Sequence, residues 1–152
     1  MVKSLLAHPS ILVNKKGPCN YTPLHIASEK GHVEIVQELL NNSEIKINEQ
    51  SRTGQTPLHI AVLFKRTEVV KELLKHSDIQ VNQKNKRNNT PLNIAAYHGN
   101  IGTVKVLLSH PDIQVNKQDI IGEKSFYISE NDHEEVASLL KQHGAISSKE
   151  KN

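Results

Sequence analysis

Apolar residues recur at three-to-four spacing in several separate stretches of the chain, which is the period of a helix with one buried face. Val, Ile and Leu hold these positions in residues 33–40, 69–74 and 104–108. Charged and amide side chains occupy most of the positions between them. We therefore predict an amphipathic helix in each of these stretches.

A second pattern follows each predicted helix. Residues 45–48, 79–82 and 113–116 read Ile-Lys-Ile-Asn, Ile-Gln-Val-Asn and Ile-Gln-Val-Asn, with an apolar residue at every second position. This is the period of extended chain. Polar residues with Gly or Asn come next, and they are typical of a turn. We predict a projecting, hairpin-like finger at each place.

A Thr-Pro pair comes before each predicted amphipathic helix, at Thr22, Thr56 and Thr90, with a spacing of 34 residues. Thr is suited to cap a helix N-terminus, and Pro is suited to its first position. The pairs thus predict a first helix in every unit. Gly31 and Gly99 permit a left-handed turn before the second helix. Lys65 holds the same position, where we expect a strain of about 1 kcal/mol.

The repeated unit resembles the ankyrin repeat, because Thr-Pro-Leu-His-Ile-Ala at residues 22 and 56 and Thr-Pro-Leu-Asn-Ile-Ala at residue 90 nearly match its Thr-Pro-Leu-His-x-Ala signature. The resemblance extends to Ala145. It implies an all-α ankyrin-repeat solenoid of helix-turn-helix units with projecting β-hairpin-like fingers. It also implies that His25 and His59 bond the capping Thr and neighbouring backbone.

This resemblance predicts one ankyrin repeat domain over residues 1–146. The predicted parts are a partial N-terminal unit and finger at 1–21, full repeats at 22–55, 56–89 and 90–123, a degenerate C-terminal capping repeat at 124–146, and a solvated tail at 147–152.

Composition narrows the kinds of partner. The net charge of +3 is modest and the basic residues are interleaved with acidic ones, so we predict no nucleic-acid binding. No stretch approaches the roughly 18 apolar residues of a membrane span, so we predict no membrane insertion. Cys19 is the only cysteine, which favours a reducing compartment and predicts a cytoplasmic protein.

The sequence offers little for catalysis. No phosphate-binding loop, H-E-x-x-H or G-x-S-x-G motif is present, and Cys19 has no His or Asp at a recognisable spacing. The histidines invite a metal site, but equivalent positions in a stack of helices lie about 8 to 10 Å apart, too far to share one zinc ion. We predict no enzyme activity, no cofactor and no metal.

By resemblance to the family, the finger tips and the exposed positions of the first helices line one concave face that binds a partner protein. Leu63, Phe64 and Tyr97 are expected to form an apolar cluster there, flanked by basic finger tips. The alternative is that Phe64 and Tyr97 only pack against each other. The predicted partner-binding residues are Tyr21, Arg52, Gln55, Leu63, Phe64, Lys86, Arg87, Asn89, Tyr97, His98, Ile120 and Ile121.

Two other functions remain open at this point. The repeats could be the targeting or substrate-recruiting arm of a larger enzyme or of a secreted bacterial effector, which would place them in a host-cell cytosol, or they could be an inert spacer. The chain begins inside a second helix, so its N-terminal end should be incompletely covered. We expect a monomer or weak self-association through that end.

Overall fold

The computed structural model describes residues 10–115 and 134–143, and this part of the chain is helical. A short 3-10 turn lies at Pro18–Asn20. The α-helices in chain order are α1 Ser10–Val13, α2 Pro23–Lys30, α3 Val33–Leu40, α4 Pro57–Leu63, α5 Thr67–Leu74, α6 Pro91–Tyr97, α7 Ile101–Leu108 and α8 Glu134–Gln142.

The first helix of each unit begins where the Thr-Pro pair predicts it. Thr22, Thr56 and Thr90 are the N-caps of α2, α4 and α6, and each side chain accepts a hydrogen bond from the backbone N–H three residues later. The residue at that third position bonds back to the N–H of the Thr, which completes a capping box. Local chemistry therefore sets the start of all three helices.

A left-handed residue joins the two helices of each unit. Gly31 has a φ of 73°, Gly99 a φ of 67° and Lys65 a φ of 60°. The expected conformation of Lys65 is therefore confirmed. The N–H of the following residue bonds to a carbonyl five residues back, as Arg66 does to Ala61 at 2.8 Å. This bond closes the end of the first helix.

The helices form two layers. The first helices α2, α4 and α6 pack side by side, and the second helices α3, α5, α7 and α8 pack in the same order. Equivalent residues of successive units fill the core between the layers, each at most 1% exposed: Leu24, Leu58 and Leu92; Val36, Val70 and Val104; Leu39, Leu73 and Leu107. The predicted all-α ankyrin solenoid is confirmed.

The fingers are closed turns. One backbone hydrogen bond closes each, from Gly17 to Tyr21, from Ser51 to Gln55 and from Asn85 to Asn89, at 2.7 to 2.9 Å. Neighbouring fingers are joined by the bonds from Arg52 N–H to the Cys19 carbonyl and from Lys86 N–H to the Thr53 carbonyl. No β-strand pairs with another within residues 10–115. The hairpin-like shape is thus reached without a strand ladder.

Asparagine side chains hold the period-two segments in place of strand pairing. Asn48 donates from Nδ2 to the Asp78 carbonyl at 2.8 Å and accepts the Gln80 N–H at 3.0 Å. Asn14 makes the same pair of bonds one unit earlier, and Asn82 makes it one unit later. Each Asn therefore ties its own unit to the next.

Several segments of the predicted units lie outside the described residues. These are residues 1–9 of the partial first unit, residues 116–123 of the third full repeat, much of the capping repeat and the tail, so that division of the chain stays a prediction. Of the helices described, none is both long and apolar enough to cross a membrane.

Candidate protein-binding face

A groove of about 610 Å³ runs between two finger turns and the first helices α4 and α6. Its walls come from both fingers and its floor from both helices. The lining residues are Thr53, Gln55, Leu63, Asn85, Arg87, Asn89, Asn93, Ile94, Tyr97 and His98. Half of the predicted partner-binding set is therefore brought together in one place: Gln55, Leu63, Arg87, Asn89, Tyr97 and His98.

The floor of the groove is apolar and open to solvent. Leu63 is 37% exposed and Tyr97 is 45% exposed, while Ile94 beneath them is 8% exposed. The Tyr97 ring packs edge-on against the His98 imidazole, with 5.3 Å between ring centroids. Large apolar groups that stay accessible on a folded surface often mark a contact site.

Phe64 departs from the predicted cluster. It is 41% exposed but does not line the groove with Leu63 and Tyr97. Phe64 is the C-cap of α4, one position beyond Leu63, and successive helical residues are turned by about 100° from each other. Among the described residues, Tyr97 forms a ring contact with His98, and no ring contact joins it to Phe64. The alternative that Phe64 and Tyr97 pack against each other stays a hypothesis.

The polar wall of the groove is organised around Asn85. Its Oδ1 accepts the N–H groups of Arg87 and Asn89, at 2.9 and 3.0 Å, and its Nδ2 donates to Gln55 Oε1 at 2.9 Å. Asn85 thus fixes three residues of the wall. The Gln55 Nε2 group and the Asn89 side-chain amide make no hydrogen bond with any part of the chain that the structure describes, so they are available to a ligand.

A basic edge borders the groove. Arg52, Lys86 and Arg87 are exposed finger residues, and none of them forms an ion pair within the described ranges. The ion pairs that these ranges do contain lie elsewhere, at Lys16–Glu49, Lys71–Glu68 and Lys75–Glu72. The three cations are therefore not neutralised by neighbouring carboxylates.

Tyr21 lies in a second, smaller hollow of about 300 Å³ near the tips of the first two fingers, which Arg52 also lines. The Tyr21 ring stacks on the His25 ring at a centroid distance of 5.1 Å. Burial, and after it the charge of Glu29, raises the pKa of the Tyr21 hydroxyl above 10.0. Tyr21 is thus held in place apart from the main groove.

His25 and His59 are joints between units. Nδ1 of His59 accepts the Thr56 N–H at 3.1 Å, and Nε2 donates to the Asn89 carbonyl of the next finger at 2.9 Å. His25 makes the equivalent bonds to Thr22 and to the Gln55 carbonyl. Both ring nitrogens are therefore occupied by protein partners, as the structural interpretation of these histidines requires.

Burial keeps both of these histidines neutral. It lowers the pKa of His25 below 6.5 and that of His59 to about 4, even though the carbonyl bonds oppose the shift. Across residues 10–115 and 134–143, no three His, Cys, Asp or Glu side chains are grouped so that they could hold a metal ion.

The sequence analysis did not predict the inter-unit hydrogen bonds of Asn14, Asn48 and Asn82. Asn recurs at the same position of the unit every 34 residues, and this recurrence could have indicated them. Ile120 and Ile121, which were predicted to contact the partner, lie outside the described residues.

A comparison with protein families finds ankyrin repeats, in a model of three copies that matches residues 1–85 and again residues 43–119. Together the two matches cover more than half of the chain. A comparison with curated proteins finds no match.

Proposed function

Because the chain belongs to the ankyrin-repeat family, we propose that it binds a partner protein through the concave face formed by its finger turns and first helices. Ankyrin repeats are in general protein–protein interaction modules and typically have no catalytic role. The partner is expected in the cytosol, where a chain with a single cysteine would stay reduced.

The observation that carries this proposal is the distribution of exposed apolar side chains. Among the described residues, the large apolar side chains with the greatest exposure are Ile26, Leu63, Phe64 and Tyr97. All but Ile26 lie at the exposed ends of α4 and α6, beside the basic fingers. Apolar anchors surrounded by charge are typical of interface hot spots.

Affinity capture from cytosolic extracts tests the proposal. Phe64→Ala with Tyr97→Ala should weaken capture by about 2 kcal/mol or more, mainly through faster dissociation. Both side chains are more than 40% exposed, so the fold should survive their loss. Ile26→Ala is the matched control, because Ile26 is 48% exposed and does not line the groove.

The basic finger edge is tested with a second pair of variants. Lys86→Glu with Arg87→Glu should slow association with an acidic partner, and added salt should reduce this difference. Lys46→Glu with Lys105→Glu changes the net charge equally at exposed positions away from the groove. If the control variants abolish capture while the concave variants do not, the partner binds another face and the proposal is wrong.

A further inference from the structure

We propose, on the basis of the proposed function, that the groove binds an extended segment of the partner protein in which an Asp or Glu lies next to a large apolar side chain. The apolar side chain contacts Leu63, Ile94 and Tyr97. The carboxylate is bound by the Arg87 guanidinium and by Gln55 Nε2.

The large apolar side chain of the proposed segment is inferred from the volume of the groove and from the residues of its floor. Its volume of about 610 Å³ lies within the range of about 300 to 1,000 Å³ that is usual for ligand pockets. The floor has two partly exposed residues, Leu63 and Tyr97, over the buried Ile94. Covering them removes apolar surface from water, which favours binding.

The Asp or Glu of the proposed segment is inferred from the excess of hydrogen-bond donors that line the groove. No Asp or Glu lines it, whereas Arg87 does, and Lys86 and Arg52 lie on neighbouring finger positions. The Asn85 Oδ1 acceptor already receives two N–H groups, and Gln55 Oε1 receives one from Asn85. The groups left over on this wall include Gln55 Nε2 and the guanidinium, which donate only.

An acidic side chain is the ligand that satisfies such donors. A carboxylate can accept two parallel bonds from a guanidinium, which makes the pair both strong and specific in direction. A nucleic acid fits less well, because it would need a row of cations along its phosphates, whereas Arg87 is the one Lys or Arg residue that lines the groove. We therefore assign the groove to an acidic–apolar peptide segment.

A random 12-residue peptide library displayed on phage tests this assignment. The library is selected on the wild-type protein and depleted on Arg87→Glu. Enriched peptides are expected to carry Asp or Glu within two residues of Leu, Ile, Met or Phe. The best peptide is then synthesised with a fluorescent label, and a second version has its carboxylate replaced by the amide of Asn or Gln.

Fluorescence polarisation with these two probes measures how much affinity each change removes. Arg87→Glu, Tyr97→Ala and the amide peptide should each weaken binding about tenfold or more, since a charge-assisted bond or an aromatic anchor contributes about 1.5 kcal/mol or more. Ile26→Ala, at an exposed position outside the groove, should change binding less than about twofold. Circular dichroism checks that every variant remains folded.

The outcomes separate this assignment from the proposed function. Peptides that bind the concave face without a carboxylate, or with Lys or Arg in its place, overturn the acidic–apolar assignment and leave the protein-binding proposal intact. Failure to enrich any peptide also overturns it. Peptides that are lost only with Lys46→Glu and Lys105→Glu count against both. Tighter binding of a labelled single-stranded oligonucleotide at Arg87 and Tyr97 would replace the peptide with a nucleic acid.

Discussion

Acid should destabilise this protein once the pH falls below 6.5, because His59 must stay neutral to join two units. The ring is fully buried, and its Nδ1 atom accepts a backbone N–H from Thr56. A proton added at Nδ1 would remove that acceptor and place a charge in the core. The pKa of His59 is accordingly lowered from 6.5 to about 4.

The size of the effect follows from this shift. When a histidine has a lower pKa in the folded protein, the unfolded chain binds the proton first, so stability is lost as the pH falls below 6.5. The loss is nearly complete at pH 4 and amounts to about 3 kcal/mol for a pKa that folding lowers from 6.5 to about 4. Between pH 7.5 and pH 5.0 the same linkage gives about 2 kcal/mol.

Urea denaturation followed by circular dichroism at these two pH values measures the loss, with His59→Asn as the comparison. Asn93 already shows that Asn can fill this register, because it accepts the Thr90 N–H at 2.9 Å and donates its own N–H to Thr90 Oγ1 at 3.1 Å. His59→Asn should keep the cap and lose the bond to the Asn89 carbonyl, at a cost of about 1 to 3 kcal/mol at pH 7.5.

The two proteins should then approach each other as the pH falls. His25, whose pKa is also lowered, is present in both, so its contribution cancels in the difference. A wild-type free energy of unfolding that stays constant from pH 7.5 to 5.0 would refute the reasoning. An equal decline in His59→Asn would refute it as well, because the decline would then arise elsewhere.

The other predictions concern the turns and the ties between units. Lys65→Gly should raise the melting temperature by about 2 °C, because Gly adopts the left-handed conformation without strain. The larger conformational entropy that Gly loses on folding offsets only part of this gain. A lower melting temperature would contradict this prediction. Asn48→Ala should cost about 1 to 2 kcal/mol in urea denaturation, because it removes both bonds to the Asp78–Gln80 loop. Asn48→Asp, which keeps the acceptor, should lie in between, and a loss below about 0.5 kcal/mol for Asn48→Ala would mean that these exposed bonds contribute little.

The sequence predicted those features that local chemistry determines. Thr22, Thr56 and Thr90 cap their helices because a side chain and a backbone N–H three residues away suffice for the interaction. The positive φ of Lys65 followed from its register with Gly31 and Gly99. The fingers were predicted less well, because their conformation depends on partners about 30 residues away, such as the Asp78 carbonyl that Asn48 binds.

The candidate site was likewise predicted only in part. The register of the first helices predicted that Leu63 and Tyr97 would be accessible on one face, and both line the groove. The same register could not place Phe64, because the helix ends one residue earlier and the chain turns there. Nor could it reveal that Asn85 orders the polar wall, since that role depends on a side chain of the preceding finger.

The bonds that join the units also shape the groove. The Asn89 carbonyl accepts both the His59 Nε2–H and the Asn85 N–H, and the Asn85 amide in turn fixes Gln55. The Gln55 side chain and the Asn89 backbone are therefore oriented before any partner arrives, which lowers the entropy cost of binding. Asn48 contributes to stability alone, because its bonds lie away from the groove, whereas Asn85 serves both stability and recognition. A change at Asn85 should thus affect the binding of a partner even when the helices remain folded.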